Sequence, residues 1–422
     1  MHHFGLSSPL SKPRIFADKQ NILQLFLLYG IKDPMLMPRY SETSIRQDLE
    51  EKMVFLSGPR QVGKTTLAKS FLHGKQDRYF NWDNRQDRRE ILAARWPAEE
   101  ATLVFDEFHK YRNWKAWIKG EFDHHRERLK FLITGSARLD VYRKGGDSLQ
   151  GRYHSHRLHG FSVSELLRSS VAIEPFKELS FPQASYSDTI ETLFHYGGFP
   201  EPFLKQNPRF LRRWQREKMD RFLREDIRDL ENVRDLSALE LLAELLAERI
   251  GAPLSLQSLR EDLEVSHRAV SHWVDILERL YYCHLVTPYV HSAVRSLRKA
   301  PKVYLWDWSA IADEGSRFEN LIAGHLLKMN HSLEDREGYL MGLHYLRDVS
   351  KREVDFLVTV DKQPWFAVEC KVAAHSANPS LRYFGERLQI PHLYQVHLRG
   401  ADDVLDGRVR IMPAGRFLGA LP

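Results

Sequence analysis

Cysteine is scarce, long apolar runs are missing, and neither an internal repeat nor a low-complexity segment stands out. Two cysteines, Cys283 and Cys370, are too few for a disulfide framework, so a reducing compartment is expected, and with it a cytoplasmic location. The nearest approach to a membrane span is Ile22 to Ile31, well short of the roughly 20 residues a spanning helix needs. That stretch also lacks a small-residue cleavage site and follows mixed charges, so neither a membrane partner nor a signal peptide is expected. No Ser-His-Asp or Cys-His arrangement suggests a covalent hydrolase. Charge of neither sign dominates: 62 basic and 56 acidic residues leave a net +6, which permits a polyanionic partner without requiring one. What the chain does have is length, 422 residues, more than one ordinary core organises, so two to four domains are expected.

The strongest local signal is Gly58-Pro59-Arg60-Gln61-Val62-Gly63-Lys64-Thr65-Thr66. The apolar run Met53-Val54-Phe55-Leu56 before it reads as a buried strand, and Leu67 to Leu72 after it has helical spacing. Strand, glycine-bounded loop and helix come in the order a phosphate cradle requires. The glycines let backbone N–H groups turn inward, and the start of the helix adds partial positive charge where phosphates would sit. Lys64 is placed to reach the β- and γ-phosphates of ATP, and the Thr65 hydroxyl to ligate Mg2+.

From Met37 to about Phe203 strand-like and helix-like segments alternate, as in a mostly parallel sheet. The expected strands are Met53–Ser57, Tyr79–Trp82, Thr102–Phe105, Lys130–Thr134 and Tyr153–Leu158. The third runs into Asp106-Glu107, which puts two carboxylates at the sheet edge where open α/β sheets bind ligands. Asp106 is expected in the Mg2+ shell and Glu107 beside the attacking water. The fourth ends in Thr134-Gly135-Ser136, whose hydroxyls are candidates for sensing a γ-phosphate. Residues 1–36 read either as an extension that docks on the body or as a segment preceding a start at Met37. His154, His156 and His159 lie close together, but their segment already has a place in the sheet and no cysteine is near, so a zinc site is not expected.

The segments LSGPRQVGKTTLA, LVFDEFHK, FLITGSAR, SLQGRYHSHRLHGFSVSE and YGGFPE resemble a large prokaryotic family of AAA-type ATPases, over a stretch from about Met37 to near the C-terminus. The resemblance implies an ATP-binding core with the sensor strand beside the P-loop strand. It gives Lys64 and Thr65 the Walker A roles, Asp106 and Glu107 the Walker B roles, and Ser136 the sensor role. Arg152, in Gln150-Gly151-Arg152, becomes a candidate trans-acting or sensor arginine; the competing reading is an ion pair within its own domain. A trans role would imply a homo-oligomer.

Arg209 to Arg234 alternates arginine with acid at i,i+4 spacing, expected of a long exposed helix. Leu236 to Val286 reads as three helices, the last capped by Ser266. A hairpin over Tyr289 to Trp306 would complete a winged helix, with Arg295, Arg298, Lys299 and Lys302 at its tip and His267, Arg268, Ser271 and His272 opening a recognition helix. The two readings are a DNA-binding module and a module that packs on its neighbours.

In the last quarter, Glu353-Val354-Asp355-Phe356-Leu357-Val358 and Trp365-Phe366-Ala367-Val368-Glu369-Cys370-Lys371 read as a hairpin around Asp361 to Pro364. Period-two alternation puts Glu369 and Lys371 on one face, and the pairing brings Asp355 beside them. Two carboxylates next to a lysine suit Mg2+ binding and water activation for phosphodiester attack. The pattern resembles the PD-(D/E)XK nuclease motif, with Val354 in place of its proline. The likeness implies Asp355 and Glu369 as metal ligands, Lys371 as the water-orienting lysine and Glu319 as an additional acid. A silent nuclease-like domain is the alternative.

The expected architecture is α/β: an N-terminal extension (1–36), an AAA-type parallel-sheet ATPase domain (37–205), a helical and winged-helix domain (206–312), and an α/β restriction-endonuclease-like domain (313–422). The expected function is Mg2+-dependent ATP hydrolysis coupled to binding or processing of double-stranded or branched DNA. The alternative is a nucleotide-controlled switch that binds protein or DNA without cutting. A P-loop kinase is disfavoured, because Asp106-Glu107 suits water activation better than a phosphoryl acceptor.

Overall fold

The computed structural model describes residues 37–422 except 136–148, 170, 185, 228–234, 290–299 and 374–375; the side chains of 225 and 226 are likewise left aside. Residues 1–36, Ser136 and the tip residues Arg295, Arg298 and Lys299 therefore lie outside the described residues.

The first sheet is wholly parallel. Its strands are β1 (Met53–Ser57), β2 (Arg78–Asn81), β3 (Ala101–Asp106), β4 (Leu129–Thr134) and β5 (Tyr153–Arg157), in the order β2-β3-β4-β1-β5. All five strands lie within a residue of where their sequence placed them, and β1, β3 and β4, buried on both faces, do so because such a strand leaves a continuous apolar run. In β1, Met53 and Phe55 pack into one core with Phe105 and Phe131, while Val54 and Leu56 join Val104 and Leu132 in the other. With β4 and β5 flanking β1, the carboxyl ends of β1, β3 and β4 converge at one edge.

Within the expected long helix the described residues change type at Arg221. Helix α1 (Pro208–Arg221) is capped by Asn207, whose side chain accepts from Phe210 N, and it passes into a π-helical stretch, Phe222–Ile227. Trp214, Phe222 and Leu223 are buried. Three helices follow: α2 (Leu236–Ala247), α3 (Leu256–Asp262) and α4 (His267–Arg279), the last capped by Ser266 through Ala269 N.

The hairpin after α4 departs from expectation. It pairs β6 (Cys283–Pro288) with β7 (Lys302–Leu305), upstream of the expected span on one side. It is no free-standing wing: β6 also pairs in parallel with β8 (Met341–Arg347), through Thr287 with His344 and Pro288 with Tyr345. The hairpin thereby joins β9 (Glu353–Val360), β10 (Gln363–Ala373), β11 (His392–Arg399), β12 (Val404–Asp406) and β13 (Val409–Pro413) in one eight-stranded sheet, ordered β12-β13-β11-β10-β9-β8-β6-β7. Lys302 is correspondingly 1% exposed, a buried ion-pair partner and not a solvent-facing tip residue. The β9–β10 turn is tighter than expected: Asp361 and Lys362 both take left-handed backbone (φ 49° and 68°), the conformation of a two-residue hairpin, and the returning strand starts at Gln363.

The 24-residue helix α5 (Glu314–Glu337) packs against β5 of the first sheet and β8 and β10 of the second. It is fixed by charge. Lys328 Nζ donates to Ser162 Oγ (2.8 Å) and to Glu165, and Arg39 Nε donates to Glu165 Oε1 (2.9 Å). Arg157 pairs with Glu334 (2.7 Å) and Asp335 (2.6 Å). The same joint holds neutral histidines. Burial pulls His284 down to about 3 and His325 to about 4; burial, then His331 and Lys328, pulls down His159, whose Nε2 lies 2.8 Å from His331 Nδ1. Unfolded histidine takes a proton near pH 6.5, whereas these stay neutral until far lower. Their contribution is thus complete above about pH 6.5 and is lost as pH falls toward 4, by up to about 1.4 kcal/mol per pH unit for each histidine. Urea midpoints measured from pH 7.5 to 5 should fall accordingly, and His284→Phe should flatten the slope.

Candidate nucleotide site and carboxylate centre

The loop after β1 takes its shape from two glycines. Gly58 (φ 145°) lies so close to the Leu158 carbonyl that a Cβ would stand 2.5 Å from its oxygen, and Gly63 has φ 101°. Lys64 is buried, and its Nζ donates to the carbonyls of Gly58 (2.9 Å) and Pro59 (2.8 Å), so the ammonium is folded over the loop. Thr65 Oγ1 donates to Asp106 Oδ2 at 2.7 Å, across 41 residues of chain. Asp106 is 3% exposed and well supplied with donors: Tyr79 Oη to Oδ2 (2.7 Å), Glu107 N to Oδ1 (3.1 Å), and the Thr134 hydroxyl to Oδ1. Burial, reinforced by the bond to Asp106, pushes the Tyr79 hydroxyl well above its usual value, so Tyr79 stays a donor. Glu107 has left-handed backbone (φ 54°), which swings its carboxylate off the strand toward Lys110 Nζ, 3.2 Å away.

Thr65, Asp106 and Glu107 face a cavity of about 390 Å³, within the range of small-molecule sites. Its near wall is Pro59, Arg60, Gln61, Thr65, Asp106 and Glu107; its far wall includes Gln215, Lys218, Arg221, Phe222, Tyr281 and Asp307. Val62 is buried and Thr66 follows Lys64 and Thr65 in the helix Lys64–Lys69. Lys218 Nζ sits 3.0 Å from Asp307 Oδ2 and 3.7 Å from the centre of the Phe199 ring, and burial lowers its pKa. Tyr281 Oη donates to Ser57 Oγ at 3.1 Å, pinning the far wall to the end of β1. Tyr79, Lys218 and Tyr281 were not singled out from sequence, and no local motif marks them.

Arg152 is not brought to this site. Its carbonyl accepts from Met53 N at the start of β1, and its guanidinium pairs with Asp123 (2.7 Å). The five residues of β1 place it roughly 16 Å from the loop. The structure thus places Arg152 in the alternative that the sequence left open, an ion pair within its own domain at the opposite edge of the sheet.

The second constellation does assemble. Asp355 on β9 accepts from Cys370 N (2.8 Å); Glu369 on β10 is 4% exposed, and its Oε1 accepts from Lys371 Nζ (2.6 Å) and Asn378 Nδ2 (2.5 Å). Glu319, from α5, accepts from Tyr304 Oη (2.6 Å) and Lys302 Nζ (3.3 Å). Burial, then Glu319 and Glu369, raises the Asp355 carboxyl well above the usual range. Lys302, Tyr304, Glu353 and Asn378 belong to this centre and escaped the sequence reading, since Lys302 looked like a basic hairpin tip.

Residues 50–167 match the family model of an AAA domain, so this part of the chain is an AAA-type P-loop domain, which implies ATP binding. Residues 187–312 and 314–417 match two domains of unknown function, DUF8612 and DUF4143. The chain is similar to uncharacterised proteins of Mycobacterium tuberculosis and Mycobacterium bovis, each 22% identical over 87% of this chain and 81% of theirs. A Methanocaldococcus jannaschii protein, also uncharacterised, is 20% identical over 74% of this chain and 75% of its own. Among solved structures, the Aeropyrum pernix Orc1 protein in complex with DNA has a TM-score of 0.31 at 13% identity, covering 69% of this chain and 96% of that one. A variant of Thermotoga maritima RuvB has 0.30 at 16%, covering 63% and 99%. No helix among the described residues is long and apolar enough to cross a membrane.

Proposed function

We propose that the protein is a Mg2+-dependent ATPase whose nucleotide state sets how its C-terminal half engages DNA. The observation that carries the ATPase reading is the 2.7 Å hydrogen bond from Thr65 to Asp106 beside the folded-over Lys64. A hydroxyl and a carboxylate already in contact at the mouth of a glycine loop are the donors that would hold Mg2+, Thr65 and Asp106 on its protein side. When bound, the ion supplies neutralisation of phosphate charge. Lys64 exchanges its bonds to the Gly58 and Pro59 carbonyls for phosphate oxygens. Tyr79 and Thr134 hold the Asp106 carboxylate in orientation. Glu107, free of the strand geometry, orients a water and takes its proton.

The far wall supports a coupling. Lys218 and Asp307 meet in the cavity, and β7, five residues before Asp307, carries Lys302 in the carboxylate centre, so one short segment reaches both places. The start of α4, with His267, Arg268 and His272 exposed, supports DNA as the partner. For Arg152 the remaining role is in trans, in a homo-oligomer, and it requires Asp123 to release the guanidinium.

The test is steady-state ATP hydrolysis with Mg2+, alone and with duplex or branched DNA, using Glu107→Gln as the blank. Turnover absent from that blank and stimulated by DNA is the expected result. Turnover unchanged in Glu107→Gln would remove the assigned site. Turnover that no DNA alters would move the reading to a nucleotide-controlled switch acting on protein.

A further inference from the structure

The carboxylate centre contains a cation of its own. Lys302 Nζ lies 2.7 Å from Glu353 Oε1, 3.3 Å from Glu319 Oε1 and 3.8 Å from Asp355 Oδ1. Lys371 sits on Glu369, and Arg347 on the other oxygen of Glu353 at 3.1 Å. Three cations thus stand among the carboxylates Glu319, Glu353, Asp355 and Glu369. Neutral donors take further oxygens: Tyr304 on Glu319, the Cys370 amide on Asp355, Asn378 on Glu369. Mg2+ needs oxygens at about 2.1 Å in near-octahedral array and retains several waters. The Lys302 ammonium takes oxygens of Glu319 and Glu353 and stands 3.8 Å from Asp355 Oδ1, on the Asp355 side of the expected ion site. Among the described residues, no group of three or more His, Cys, Asp or Glu side chains is disposed to hold a metal.

The backbone that carries the ammonium is also tethered. Lys302 pairs with Val286 in the β6–β7 ladder and bridges to Pro253, while Leu254 N donates to the Pro301 carbonyl at 2.7 Å. β7, which carries Lys302, also reaches the nucleotide cavity through Leu305 at its end. The residues therefore do not fit the divalent ion that the Asp355, Glu369, Lys371 pattern suggests. Within this centre Glu369 Oε2 is buried without a hydrogen-bond partner among the described residues.

We propose that Lys302 is the resident cation of this centre, standing where a divalent ion would stand in a metal-dependent phosphodiester-cleaving site and closing it to such ions. The C-terminal sheet then has the carboxylates of a nuclease-like centre without metal-dependent hydrolysis. This bears only on the DNA-processing part of the function, and ATP turnover at the P-loop is independent of it.

The experiment uses the full chain without nucleotide, carrying Asp106→Asn to remove the P-loop carboxylate, and follows free Mn2+ by electron paramagnetic resonance. No loss of free-ion signal is expected, and adding Asp355→Asn should change nothing. Lys302→Met releases oxygens of Glu319, Glu353 and Asp355 beside the unpartnered Glu369 oxygen; one equivalent of Mn2+ should disappear from the free pool and return when Asp355→Asn is added. The proposal is overturned if the Lys302-containing chain binds Mn2+ and Asp355→Asn abolishes it, or if a folded Lys302→Met chain binds none. Should Lys302→Met not fold, the comparison with and without Asp355→Asn decides alone: equal titrations support the proposal, and an Asp355-dependent site defeats it.

Discussion

Glu107→Gln should lower ATP turnover by roughly 10²- to 10⁴-fold, the range for removing a positioned general base, while Mg2+-ATP still binds. Glu107, whose one oxygen lies 3.2 Å from Lys110 Nζ, is the carboxylate of the pair assigned to act on water. Asp106 is occupied by Thr65, Tyr79, Thr134 and the Glu107 amide, so its oxygens point at fixed donors. Glutamine keeps the size of the side chain and its left-handed backbone but cannot accept the proton of the attacking water. Lys64→Ala should behave differently. It removes the charge folded over the loop carbonyls, so it should weaken nucleotide binding itself, visible with a fluorescent ATP analogue before any turnover. Single-turnover kinetics on both variants separates the two effects. Should Glu107→Gln lose nucleotide affinity and keep its chemical step, the roles assigned to Glu107 and Lys64 would be wrong.

Glu165→Ala should destabilise the protein by about 3–5 kcal/mol, the cost of breaking a buried ion pair from one side. The Glu165 side chain is 3% exposed, between Arg39 at 5% and Lys328 at 2%. Removing it leaves two buried cations facing each other, and Lys328, which burial already lowers to about 8 despite Glu165, would have to give up its proton. Burial raises the Glu165 carboxyl, but Arg39 and Lys328 outweigh it and bring it to about 2. The contribution of Glu165 is therefore present above its unfolded value near 4.5 and is lost only as pH falls toward 2. A urea series at pH 7 measures the destabilisation, and a shift below about 1 kcal/mol would mean that the joint relaxes around the lost charge. The functional consequence is separate: Arg39 also donates to the carbonyl of Val62 in the P-loop (3.0 Å), so the variant should raise KM for ATP even where it remains folded.

The P-loop and its sheet were readable because their information is local. A buried parallel strand is a run of apolar residues, a phosphate loop is a fixed spacing of glycines before a helix, and a carboxylate at a strand's end follows from where the strand stops. Asp355, Glu369 and Lys371 were readable for the same reason, being two strands of one hairpin with alternating faces. Lys302 was not. As a lysine in a basic stretch before an aromatic strand it reads as surface, and only the pairing of β6 with β8, which folds the hairpin into the C-terminal sheet, buries it among acids from α5 and β9. For Arg152 the sequence left open a trans-acting or sensor arginine and an ion pair within its own domain, and only the pairing of β1 with β5 shows that it lies away from the loop, beside Asp123. Lys218 and Tyr281 reach the nucleotide cavity from separate parts of the chain, and Tyr79 reaches it only through Asp106. Local chemistry thus determined which groups could do chemistry, while packing of distant elements decided which cation answers each carboxylate, because a charge buried in a low-dielectric interior takes whatever partner the surrounding elements bring to it.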